Sequence, residues 1–230
     1  MNTTAAQKSE GRLVQVAAGE ATLEGNLAIP EGAEGVVLFA HGSGSSRFSP
    51  RNRFVARALG EGALATLLID LLTPAEEEVD RWTRHLRFDI DLLADRLVSV
   101  TDWLLQDPDT QTLKIGYFGS STGAAAALIS GTKRPDAIYA IVSRGGRPDL
   151  AAPALPQVKA PTLLIVGGND ALVISLNQQA LTQLRIEKEL EIVPGAGHLF
   201  EEPGALEEVA RLAREWFQRH LTSGHEKRPA

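Results

Sequence analysis

The chain of 230 residues contains no cysteine. That excludes disulfides, thiolate nucleophiles and cysteine-ligated zinc, and it fits a reducing compartment. Positive charge is also scarce. Lys and Arg number 23 against 29 Asp and Glu, leaving a formal net charge of −6. No basic excess offsets the phosphates of a nucleic acid, so no nucleic-acid partner is expected. No apolar run approaches the length of a membrane span. Residues 1–11 lack the apolar core of a secretory signal. A cytoplasmic protein with no membrane partner is the resulting expectation. Repeats and low-complexity linkers are missing too.

Apolar residues are plentiful, at 43% of the chain, enough for one large core. The expected organisation is a single domain over residues 12–221, with flexible ends at 1–11 and 222–230. Two alternating segments, Arg12–Val16 and Thr22–Ile29, read as an antiparallel edge. From Val36 onward, strand-like and helix-like runs alternate. Val36–Ala40, Ala63–Ile69, Leu113–Phe118, Ala137–Val142, Thr162–Val166 and Leu190–Val193 read as buried strands. Arg53–Leu59, Phe88–Leu105, Ile174–Leu184 and Ala205–His220 read as helices. This order implies an α/β fold with a mostly parallel central sheet and helices on both faces. Leu71–Arg87 is too polar for core and reads either as a solvated loop with a first helical turn or as a substrate-facing flap.

The segment Gly119-Ser120-Ser121-Thr122-Gly123 lies between a strand and a small-residue helix, Ala124–Ile129. G-x-S-x-G in that context is a nucleophile elbow. The register selects Ser121, because Ser120 would need glycines where Phe118 and Thr122 stand. A serine hydroxyl needs a base, and the base needs an orienting acid. His198, in a glycine-rich turn after the last strand, is the candidate base. His220 lies in a helix and His225 in the tail. Asp170, after Gly167-Gly168-Asn169, is the candidate acid, though Asp there would equally serve as a helix N-cap. Oxyanion donors are expected from the backbone N–H groups of Thr122 and Ser43. A phosphate-binding reading of His41–Ser46 lacks the Lys-Ser/Thr ending that it requires.

Taken together, the His41-Gly42 loop, the Ser121 elbow, Gly167-x-x-Asp170 and Gly197-His198 resemble the α/β-hydrolase superfamily. The resemblance is strongest to its small, lidless dienelactone hydrolase-like branch, over about Leu23 to Leu221. It implies the α/β-hydrolase fold without a large cap domain, no cofactor and no metal. Dienelactone hydrolases proper carry a cysteine nucleophile, and here Ser121 stands in its place. Serine members imply a carboxylesterase acting on a small-molecule ester. Thioesterase, acyltransferase or amidase chemistry on the same residues is the alternative, as is a non-catalytic interaction protein. His41, Arg144, Arg147 and Trp82 are candidate substrate-binding residues. The bland reading of the arginines is that they pair with Glu76–Glu78, Asp149 and helix ends. A homo-oligomer is left open.

Overall fold

The computed structural model describes residues 11–222. Apart from Gly11 and Thr222, the expected flexible ends lie outside the described residues. Eight strands form one sheet: β1 (Arg12–Ala18), β2 (Ala21–Ala28), β3 (Gly35–Ala40), β4 (Leu64–Ile69), β5 (Lys114–Ser120), β6 (Ile138–Arg144), β7 (Thr162–Gly167) and β8 (Lys188–Val193). Their spatial order is β1-β2-β4-β3-β5-β6-β7-β8. The helices are α1 (Pro50–Glu61), α2 (Pro74–Thr83), α3 (Ile90–Leu104), α4 (Thr122–Lys133), α5 (Ala171–Gln183) and α6 (Ala205–Leu221).

The antiparallel β1–β2 pair closes one edge, with Val14 opposite Gly25, and β2 runs antiparallel to β4. The remaining strands are parallel. β3, β4 and β7 are buried throughout, as strands covered on both faces must be. Successive residues of β3 divide between two cores. Val36, Leu38 and Ala40 join a core beneath α3, α4 and α5, while Val37 and Phe39 pack with Val55 of α1 and Phe217 of α6. Ala124–Ala127 are fully buried, and these small side chains let α4 lie close to the sheet. The C-terminal ends of the parallel strands share one edge, where open α/β sheets place their sites.

Leu71–Arg87 departs from expectation. Pro74–Thr83 is a helix, begun by a capping box in which Thr73 and Glu76 satisfy each other's backbone N–H groups. A charged surface does not prevent a helix when its first turn is capped this well. Asp80 is buried at the other end and ion-paired to Arg87. It also accepts from the backbone of Leu86 and Arg87. That fixes the return of the chain into α3. α1 likewise begins earlier than its apolar pattern, because Ser49 caps it and Pro50 occupies its first turn.

Candidate active site

β5 runs into α4 through Ser121, which holds φ +50° and ψ −120°. A non-glycine residue in that region is strained, and such strain persists only where the surroundings enforce it. Here they are backbone. A Cβ on Gly119 would meet Ala124 Cα at 2.4 Å, and one on Gly123 would meet Ala40 O at 2.3 Å. The Ser121 N–H donates to Arg144 O at 3.2 Å, and Arg147 N–H donates to Ser121 O at 3.1 Å. Ser120 instead is buried and donates from Oγ to Asn52 Oδ1 of α1 at 3.2 Å.

Asp170 and His198 come together at the same edge. His198 Nδ1 lies 2.7 Å from Asp170 Oδ2. Asp170 Oδ1 accepts the Val173 N–H at 3.4 Å and caps α5. One oxygen of Asp170 thus contacts His198 and the other caps the helix. The two loops are joined by backbone: Asn169 N–H donates to Ala196 O at 2.9 Å, and a Cβ on Gly167 would lie 2.4 Å from Gly197 O. His198 stands over bare backbone beside the elbow, with its Cε1 3.6 Å from where Gly145 would carry a Cβ.

The loop after β3 packs directly on the elbow. A Cβ on Gly42 would approach Ser121 Cβ to 3.1 Å. Ser43 N–H, expected to face an oxyanion, donates to Thr122 Oγ1 at 2.9 Å. The two residues expected to supply oxyanion donors are thus bound to each other. His41 corrects the sequence reading. It is buried, its Nε2 accepts the Leu71 N–H at 3.0 Å, and its Nδ1 lies 3.0 Å from Gly42 O. Leu71 N–H can only donate, so Nδ1 carries the proton and His41 is neutral. Burial lowers its pKa, against smaller opposing effects of Gly42 and Asp70. Both nitrogens are committed to the loop, leaving none for a substrate. Arg47 adds a second clamp that sequence reasoning missed, donating from N–H to Asp70 Oδ1 at 2.6 Å and pairing with Glu24 at 2.7 Å. The available signal was Asp70 itself, a charge at the end of a buried strand.

The remaining candidates separate. Arg147 is held in a fork by Asp149, at 2.8 and 2.7 Å, the pairing that was the alternative to a substrate role. Trp82 is 82% exposed on α2 and does not line the cavity beside the elbow, a second correction. Arg144 is buried and bonds only weakly, to Asn52 Oδ1 at 3.4 Å. The cavity of about 550 Å³ is lined by Gly42–Ser46, Phe48, Arg51 and, from the α2 side, Glu77, Asp80 and Arg87. Residues of Leu71–Arg87 thus form one wall of this cavity, whose lining does not include Ser121, Asp170 or His198. Among the described residues no group of His, Asp or Glu side chains is arranged to hold a metal ion, and no helix is long and apolar enough to cross a membrane.

The model of the dienelactone hydrolase family matches residues 23–222. The chain belongs to that family. A solved dienelactone hydrolase from Anabaena variabilis is 65% identical, with a TM-score of 0.91 over 92% of this chain and 98% of that one. Est1E from Butyrivibrio proteoclasticus shares the fold at 15% identity, with a TM-score of 0.75 over 89% of this chain and 97% of that one. A Mycobacterium tuberculosis protein provisionally named a phosphoribosyl transferase is 56% identical over 208 residues, covering 90% of this chain and 46% of its own length. The chain thus spans about half the length of that curated relative. Family membership places this dienelactone hydrolase relative among α/β-fold hydrolases.

Proposed function

We propose that this chain is a serine hydrolase that cleaves compact carboxylic esters through an acyl-enzyme. The observation that carries the reading is the 2.7 Å contact between His198 and Asp170, at the sheet edge that also carries the strained Ser121 elbow. Ser121 Oγ attacks the ester carbonyl as His198 takes its proton. Asp170 Oδ2 holds the imidazole in the tautomer that leaves Nε2 free to act as base. The Thr122 N–H, at the first helical position, has no carbonyl of its own helix to bond, and it supports the tetrahedral oxyanion together with Ser43. The contact between Ser43 N–H and Thr122 Oγ1 keeps that N–H oriented before substrate arrives, and the rotating hydroxyl gives way to the oxyanion. Water then attacks the acyl-enzyme with His198 as base.

A fluorophosphonate probe tests the nucleophile. Stoichiometric labelling of Ser121, lost in Ser121→Ala, is the expected result, and no labelling would overturn the reading. A panel of matched ester, thioester and amide substrates then separates esterase from thioesterase or amidase. Phosphoribosyl transfer, suggested by the name of the mycobacterial relative, is a second reading. It requires no Ser121, so transfer activity that survives Ser121→Ala would favour it.

A further inference from the structure

The His198 side chain is 41% exposed, so packing alone does not fix the ring. Its place is set by Asp170 Oδ2 at 2.7 Å and by the loop that carries it, between β8 and α6. That loop is anchored on both sides of the histidine. Before it, Asn169 donates from Nδ2 to Gly195 O at 2.7 Å and from its N–H to Ala196 O at 2.9 Å. After it, Phe200 is buried in the core that α1 and α6 share. Phe200 is held at φ +54°, a conformation that a bulky residue keeps only where its surroundings enforce it.

Gly197, His198 and Leu199 span the gap between these anchors. Gly197 has no side chain to pack, and Leu199 is exposed. Across the gap Glu202 reaches back, and its Oε1 accepts the Gly197 N–H at 3.0 Å. A Cβ on Gly197 would lie 3.0 Å from the same oxygen, and Gly197 O lies 2.4 Å from where Gly167 would carry a Cβ. The residue before His198 is therefore confined on both sides, by the end of β7 at its carbonyl and by a carboxylate at its N–H. Glu202 is itself braced, because its carbonyl accepts the Ala205 N–H at 3.0 Å where α6 begins. The Gly197 N–H first, and then the Glu202 N–H, hold the Glu202 carboxyl below the usual carboxylate range. The acceptor is thus ionised at neutral pH, which strengthens the bond to Gly197. The Glu202 side chain is exposed and fills no space in the core.

We propose that Glu202 is a positioning residue for the His198 base, its carboxylate clamping the Gly197 N–H so that the imidazole stays in register with Asp170. Glu202 acts through the backbone of the loop and not on the reacting atoms. A displacement of about 1 Å at such a base can cost a hundredfold in rate. The effect on turnover rests on the hydrolase reading; the effect on the contact between His198 and Asp170 does not.

Two readouts follow from that division. The first is steady-state kinetics on a small ester for wild type, Glu202→Ala, Glu202→Gln and Glu201→Gln. Glu202→Ala should lower kcat about ten- to a hundredfold with KM nearly unchanged, since the loss falls on the transition state. Glu202→Gln keeps an acceptor oxygen and should restore most of the rate. Glu201→Gln removes a neighbouring charge but leaves the Gly197 bond, and should match wild type. The second readout is the proton resonance of the His198 Nδ1–H in protein labelled with 15N-histidine, assigned by its loss in His198→Gln. It should be sharp and downfield in wild type and Glu202→Gln, and broadened or shifted upfield in Glu202→Ala. A lower melting temperature with kcat and the resonance unchanged would make Glu202 merely structural and overturn the proposal. An equal loss in Glu202→Gln and Glu202→Ala would overturn it as well. If Glu202→Ala fails to fold, Glu202→Asp, one methylene too short to reach Gly197, takes its place. If wild type hydrolyses no ester, the hydrolase reading falls and the resonance alone decides the clamp.

Discussion

Adjacent serines at the end of β5 face different surroundings. Ser120 is buried against Asn52, and Ser121 sits at the elbow apex. Ser121→Ala should lower kcat/KM by about three orders of magnitude or more without lowering the melting temperature. Ser120→Ala should keep most activity and lose about 1 kcal/mol of stability with its buried hydrogen bond. Paired kinetic and thermal measurements separate the two. Asp170 offers a sharper split, because Asn caps helices about as well as Asp but fails to hold the imidazole tautomer. Asp170→Asn should leave the melting temperature nearly unchanged while turnover falls by orders of magnitude; Asp170→Ala should lose both. Unchanged turnover in Asp170→Asn would reduce the residue to a cap. His41 carries a pH prediction. Its folded pKa lies below the ordinary 6.5, so the unfolded chain binds its proton first as pH falls. The stability tied to neutral His41 is full above about pH 6.5 and declines as pH drops toward the folded value. Melting curves from pH 7.5 to 5 should fall more steeply for wild type than for His41→Gln.

Elements differed in how openly they announced themselves. The central strands were legible because burial on both faces writes an unbroken apolar run. α3 was legible because Leu93, Leu97, Val100 and Leu104 repeat at helical spacing. α2 was not, since Glu76, Glu77 and Glu78 mask any apolar stripe, although Thr73-Pro74-x-Glu76 spelled a capped start. The elbow, Asp170 and His198 could be picked out because strand ends and chain order locate them. Arg144 and Arg147 looked equivalent. Asp149, two residues on, hinted at a partner for Arg147, but no periodicity records that Arg144 turns inward. The clamp from Arg47 to Asp70 joins residues 23 apart in the chain, so the charge ending a buried strand marks Asp70 but does not name its partner. Thr73→Ala should cost about 1 kcal/mol through loss of the cap. Because α2 walls the cavity, that variant should raise KM more than it lowers kcat, and steady-state kinetics on a small ester checks this.

Across the molecule, both cores are built on alternate residues of the same strands, so neither can open without the other. The described domain should unfold in one cooperative transition. Tryptophan fluorescence, dominated by the change at buried Trp216, and far-UV circular dichroism should give coincident curves; separate midpoints would mean that the β1–β2 edge or α6 detaches first. The site inherits this rigidity in a particular way. Gly119, Gly123 and Gly167 abut carbonyl or Cα atoms at 2.3 to 2.4 Å from a would-be methyl. No substitution can be absorbed there by a neighbouring rotamer, because the neighbours are main chain. In a saturation library these positions should be almost intolerant of change, whereas Phe48, Glu77 and Arg81, exposed on the cavity wall, should accept many residues. Adaptation to a new substrate, in nature or in the laboratory, then proceeds by relining the walls around a frame whose shape is fixed by peptide planes.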